Sequence, residues 1–323
     1  MFHEASGLEK PIPSIATTPC ASGATNFVVL PSSFVSQLPQ FAPAAYAVTA
    51  VFLWGASDFA GGYASRRANA FVLTAFSHLC ALVWMTVIAF ASQAPLPDRA
   101  SMFWAILAGS IGGFSLAIFY GALAAGQMGL SAPIAALLGA AIPTMVDIAL
   151  RGAPSRWSLV GFALAIIAIW LITRPDATTK NAPSAQKGPP KGVTAAALAG
   201  VGFAGFYLCI HQATGSPIWG AAITRIGSFT ATAIAVVATR PPLKLDRPAL
   251  ALGFVAGSLD VTGTAFFIFA SEHGRLDEAV VITSLYPAVT VLLARLVLKE
   301  HFSPWKFLGL LAALAAVPLI AGG

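Results

Sequence analysis

Apolar residues run along this chain in blocks of about 20, the length that carries a helix across roughly 30 Å of hydrocarbon at 1.5 Å per residue. Short stretches holding Pro, Gly and most of the charge separate the blocks. Uninterrupted apolar length and these flanking signals predict helices near 44–65, 70–91, 101–125, 129–150 and 155–173, then 192–213, 217–238, 249–271, 276–298 and 303–321. The blocks are apolar on every face, as helices are when lipid takes the place of water.

Two segments break the pattern. Residues 1–42 form a polar Ser/Thr/Pro extension that predicts disorder, and residues 174–191 (RPDATTKNAPSAQKGPPK) read as a solvated, Pro-rich basic linker. The linker divides the chain into halves, 43–173 and 192–323, and the halves are related. One ungapped register sets Ala108-Gly109-Ser110 on Ala256-Gly257-Ser258. It goes on to match Ala117, Phe119, Ala122 and Gly126 with Ala265, Phe267, Ala270 and Gly274, and Leu150, Ser155, Trp157 and Gly161 with Leu298, Ser303, Trp305 and Gly309. Such self-similarity marks an internal repeat. Five helices per repeat is an odd number, so the second copy enters the membrane from the opposite side. The predicted fold class is therefore an all-α integral membrane protein with ten transmembrane helices arranged as two inverted five-helix repeats.

Composition agrees: 57% of the 323 residues are hydrophobic and 9% charged, with a mean hydropathy of +0.80, against roughly 25% charge in an ordinary soluble domain. The net charge of +6 lies mostly in short loops and at helix ends rather than in one patch, so it argues against a nucleic-acid partner. Cys20, Cys80 and Cys209 have neither metal-ligand nor disulfide spacing. No Walker, zinc or nucleophile motif is present, so the sequence predicts neither an enzyme nor a cofactor.

The pattern resembles the EamA family of the drug/metabolite transporter superfamily. Leu53-Trp54-Gly55-Ala56-Ser57-Asp58-Phe59 in the first helix, Arg225 in the seventh, and Leu298-Lys299-Glu300 before Ser303-x-Trp305 carry the resemblance over about residues 44–321. The first repeat departs from it, with Gly152 where the second has Glu300 and Ser77 in the register position of Arg225. The resemblance implies a multi-pass protein of the cell membrane, in bacteria the inner membrane. It also implies a cavity between helices one to four and six to nine, with helices five and ten peripheral.

Candidate site residues are polar or aromatic groups placed deep in the predicted helices. Arg225 and Asp260 lie well inside helices seven and eight, where a charge costs roughly 2.5–3.5 kcal/mol on insertion scales. Either they face an aqueous cavity, Arg225 taking an anionic group of the solute, or they form a fixed ion pair between neighbouring helices. Asp58 shares a helical face with Trp54 and Gly61/Gly62, where it would bind a cation or amine; the alternative is a carboxylate near the helix end paired with Arg66 or Arg67. Tyr120, Tyr207 and Tyr286 offer hydroxyls to a solute or pack as aromatics with one hydrogen bond. Pro133, Pro143 and Pro287 interrupt helices four and nine and are candidate gating positions. Asp147 with Arg151 has the spacing of a surface ion pair, Asp277 and Glu278 cap helix nine, and His78 and His211 read as interhelical histidines.

The function these features predict is secondary transport, in the sense of export, of small metabolites such as amino acids by alternating access, with the proton as candidate coupling ion. The alternatives are efflux of organic cations, favoured by the aromatic content and Asp58 but opposed by a buried Arg225, which would repel them, and a membrane scaffold or sensor without flux. Expected partners are the lipid bilayer, the solute and a second copy packed through the small residues of helices five and ten, Gly161, Ala163 and Ala165 with Gly309, Ala312 and Ala313. Lys10, Arg99, Arg151, Arg156 and Arg275 fall on the side of the termini, and eleven Lys and Arg on the other, so the positive-inside rule favours external termini. The EamA resemblance implies the reverse.

Overall fold

The computed structural model describes residues 41–124, 128–172, 191–298 and 303–321. The predicted extension and linker lie almost wholly outside these residues, as do Lys299 and Glu300. The described elements are all helices: α1 (Ala42–Ala64), α2 (Ala70–Ala91), α3 (Arg99–Ala124), α4 (Met128–Arg151), α5 (Arg156–Ile172), α6 (Lys191–Ile210), α7 (Pro217–Thr239), α8 (Arg247–His273), α9 (Leu276–Thr283), α10 (Tyr286–Leu298) and α11 (Pro304–Ala321). Among the described residues seven spans, one of them running through α9 and α10, are long and apolar enough to cross a membrane; α5 and α11 contain shorter apolar helices.

Local chemistry sets the ends. Asn69 caps α2 by accepting from the Phe71 and Val72 amides at 3.0 and 3.3 Å. Ser216 caps α7 ahead of Pro217, and Asp246 caps α8 by accepting from the Ala249 amide at 2.8 Å. Gly152, at φ +83°, ends α4 in the left-handed conformation that glycine adopts without strain.

The sequence predicts one helix over 276–298; the structure has two. Pro287 has no N–H to donate to the turn before it. The Thr283 and Ser284 hydroxyls bond back to carbonyls of α9, to Ala279 at 2.8 Å and Val281 at 2.7 Å, which offers that turn an alternative to the helical ladder. At Pro143, by contrast, α4 runs uninterrupted from Met128 to Arg151, so the break expected in helix four is not there.

Packing exchanges the halves. α1 lies on α8 and α6 on α3; α2 lies on α8 and α7 on α3. Glycines allow the closest of these approaches. A Cβ at Gly109 would collide with the Thr224 carbonyl of α7, and a Cβ at Gly257, its partner in the repeat register, with the Ser77 carbonyl of α2. α5 and α11 pack against each other, Gly161 on Ile320 and Ala316. Their small faces thus meet within one chain, and bulky Trp157, Ile166, Trp170, Leu311 and Leu314 point outward.

Contacts also fix which ends lie together. Gly274 after α8 meets Pro43 at the start of α1, Thr214 after α6 bonds Ser101 at the start of α3, and Trp219 near the start of α7 donates to the Ala94 carbonyl beyond α2. This is the proximal end. At the distal end Ala64, Leu73 and Ala249 join the end of α1 to the starts of α2 and α8.

Candidate functional site

Between the two ends lies a small cavity of about 60 Å³, well below the roughly 300 Å³ at which small-molecule sites begin. Its wall has an aromatic part and a charged part. Trp54, Phe203, Phe206, Tyr207 and Tyr286 supply rings, with Leu116 and the backbone of Gly112 and Gly113 beside them. Phe203, Phe206 and Tyr207 project together because residues three and four apart share a helical face.

The charged part centres on Arg225, which is 3% exposed. Its Nη1 donates to Oδ2 of Asp260 and lies 3.4 Å from Nδ1 of His78; Nη2 donates to Thr264 Oγ1 at 3.1 Å and Nε to Thr224 Oγ1 at 3.1 Å. Four of the five guanidinium N–H groups thereby have protein partners. An arginine only donates, so Nδ1 of His78 is the acceptor and neutral His78 carries its proton on Nε2. That Nε2 is buried and has no hydrogen-bond partner, and the same holds for the Tyr286 hydroxyl.

Asp58 lines the same cavity from α1 and is 6% exposed. It has no hydrogen-bond or ion-pair partner among the described residues. The pairing with Arg66 or Arg67 that the sequence leaves open is therefore not formed. Its neighbours are fixed instead: Ser57 donates to the Ala256 carbonyl of α8 at 2.8 Å, and the Trp54 indole N–H donates to the Asp260 carbonyl at 3.2 Å.

Six of the seven binding residues expected from sequence line this one cavity: Trp54, Asp58, Tyr207, Arg225, Asp260 and Tyr286. Tyr120 does not. It is buried behind the wall, its hydroxyl 3.1 Å from Ser57 Oγ and its ring on Gly61, where it braces α1. Of the candidate gating residues, Pro287 follows the break between α9 and α10 next to Tyr286, Pro143 is buried within α4, and the side chain of Pro133 lies outside the described residues. Sequence reasoning missed His78 and Thr264 as wall residues. Thr264 stands one helical turn after Asp260 and His78 next to the register equivalent of Arg225, and those spacings were the available signals.

A buried ion pair, an unpaired carboxylate and an aromatic wall in an all-helical bundle fit a route for a polar solute through lipid. Residues 190–322 match the EamA-like transporter family. That family belongs to the drug/metabolite transporter superfamily, and the EamA match covers the half that carries Arg225, Asp260 and Tyr286. No curated protein matches the chain. A solved structure described only as "Crystal structure of protein" superimposes with a TM-score of 0.66 at 14% identity, covering 86% of this chain and 94% of that one. At that identity the likeness is one of fold. The second half of the chain is thus similar to the EamA-like transporter family, and the apolar helices are those of a multi-pass membrane protein.

Proposed function

We propose that the chain is a secondary exporter of small organic solutes bearing a protonated amine, working by alternating access between two inverted five-helix repeats in the cell membrane. One observation carries the solute class: Asp58 faces the cavity without a partner, whereas Arg225 is already matched by Asp260. With Asp58 and Asp260 ionised, Arg225 charged and His78 neutral, the wall holds a net charge of −1, which one ammonium group neutralises. Matching Arg225 removes the repulsion that would otherwise exclude cations. The rings of Trp54, Phe206 and Tyr207 suit an apolar or aromatic body on the amine, with a cation–π contribution. A proton competing with the ammonium group for Asp58 would couple solute flux to a pH gradient.

Alternating access draws support from the sequence register between the halves and from the exchanged contacts, α1–α8 with α6–α3 and Gly109–Thr224 with Gly257–Ser77. A second reading, export of zwitterionic amino acids, is favoured by the unpartnered Nε2–H of His78, a donor for a carboxylate.

The test is flux in proteoliposomes under an imposed pH gradient, with phenethylamine and phenylalanine as probes. The amine should show saturable, gradient-driven flux that Asp58→Asn abolishes. Amine flux at the wild-type rate in Asp58→Asn would sink the assignment, and flux of phenylalanine alone would select the second reading.

A further inference from the structure

At the proximal end, away from the cavity, charged side chains of one half are tied to the other half. Asp147, at 3% exposure on α4, accepts from the backbone N–H of Asp277 at 3.2 Å and pairs with Arg151 at 3.1 Å. Arg151 Nη2 lies 2.9 Å from Nε2 of His211, just past α6. In the opposite sense, Arg275 donates to the Gly152 carbonyl at 2.9 Å and holds both carboxylate oxygens of Asp277, at 3.0 and 2.9 Å. Asp277 is fully buried. Three bonds thus cross between the halves, each involving a charged side chain.

The repeat does not reproduce the full residue set of this cluster. The register sets Arg295 opposite Asp147, Lys299 opposite Arg151, Tyr63 opposite His211, and Gln127 and Gly129 opposite Arg275 and Asp277, so one cation is kept and both carboxylates are replaced. Bonds that join the halves at the proximal end oppose their separation there. Two rings of the cavity wall, Trp54 and Tyr207, pack on Phe267, with Trp54–Phe267 centroids 5.5 Å apart and Tyr207–Phe267 4.9 Å. Tyr207 is three residues from the proximal end of α6 and Phe267 six from that of α8, which sets them on the proximal side of Arg225 and Asp260.

We propose that Asp147, Arg151, His211, Arg275 and Asp277 form a polar clasp that keeps the proximal end closed, and that the clasp must part before the cavity opens on that side. This rests on the alternating-access reading above. The clasp suits such a step because its bonds are directional and lie at a water-accessible end: when the halves separate, water replaces each partner, so the network opens and recloses at modest net cost. An apolar seal of equal area would expose hydrocarbon surface instead.

The experiment is pulsed EPR on the full chain in lipid nanodiscs, with spin labels at Ala153 and Gln212 across the proximal end and, separately, at Arg67 and Lys244 across the distal end. Arg275→Gln removes two of the charged contacts. It should raise the separated proximal population about tenfold, at the low end for loss of a charged hydrogen bond, and leave the distal distribution unchanged. An unchanged proximal distribution, or equal broadening at both ends, would overturn the proposal, the latter showing a purely structural role. For the case in which Arg275→Gln does not fold, a cysteine pair, Gly152→Cys with Arg275→Cys in a background lacking Cys20, Cys80 and Cys209, locks the clasp. Oxidation should keep the proximal label pair at its short distance under every condition that otherwise separates it, with reversal by reductant. Separation with the disulfide formed would refute the clasp. Neither readout uses a solute, so failure of the amine assignment would leave these outcomes legible.

Discussion

Arg225 of α7 and Asp260 of α8 form an ion pair in the cavity wall, and Thr264, one turn along α8 from Asp260, bonds the same guanidinium at 3.1 Å. Removing one partner of such a pair leaves an uncompensated charge away from water, at a cost of about 3–5 kcal/mol. Arg225→Ala and Asp260→Ala should each lower the melting temperature in detergent sharply. The double variant Arg225→Met with Asp260→Leu should recover most of the loss, because it removes both charges together. If the double variant melts no higher than the singles, the pair is not the unit of stability described.

Asp58 predicts the opposite sign. It is buried and lacks a partner, so its charge opposes folding and is retained for another reason. Asp58→Asn should melt at or above the wild-type temperature while losing gradient-driven amine flux. A marked fall in melting temperature would reveal a partner for Asp58 and remove the argument for a solute there.

The helices were legible because their signal is physical and long: about 20 apolar residues in a row leave few alternatives. Predicted ends such as 70–91 for α2 and 217–238 for α7 lie within a residue of the observed ones. The break between α9 and α10 was not legible from apolar length, which runs on through Pro287; it depends on the Thr283 and Ser284 hydroxyls as well as the proline. In the site, the cost of charge in lipid singled out Arg225, Asp260 and Asp58, but not which of them were partners, since pairing is a matter of helix azimuth. His78 was read only as an interhelical histidine because its place in the wall comes from Arg225, the neighbour it meets across α2 and α7.

The two-fold exchange of contacts makes matched steric predictions. A methyl group at Gly109 or Gly257 would collide with backbone of the facing helix, which cannot move as a flexible side chain would. Gly109→Ala and Gly257→Ala should each destabilise by about 1–3 kcal/mol. Gly121→Ala is the control: its Cβ would stand 3.8 Å from that of Ala70, an ordinary contact, and alanine suits a helix interior better by up to about 1 kcal/mol. The ranking is read from thermal melts of the three variants. Equal tolerance at all three positions would contradict the close crossings of α3 with α7 and α8 with α2.

His211 makes the proximal clasp sensitive to pH. It lies just beyond α6, and burial first, then the Arg151 guanidinium, push its pKa below the usual histidine value, with Asp147 acting the other way. The groups facing it are Asp147 and Arg151 from α4 and Glu272 from the end of α8. Arg151 can only donate, so His211 accepts through Nε2 when neutral, and protonation removes that acceptor. With its pKa depressed in the closed state, His211 binds a proton more readily when the clasp is apart. Its contribution to closure is therefore complete above the ordinary value of 6.5 and fades as pH falls from there through the lowered pKa. The separated population seen by the Ala153 and Gln212 labels should grow as pH drops from about 7.5 to about 5, the range in which histidine titrates. His211→Gln, whose side-chain oxygen accepts from Arg151 at any pH, should flatten the response. A pH response that persists undiminished in His211→Gln would assign the titration to another group.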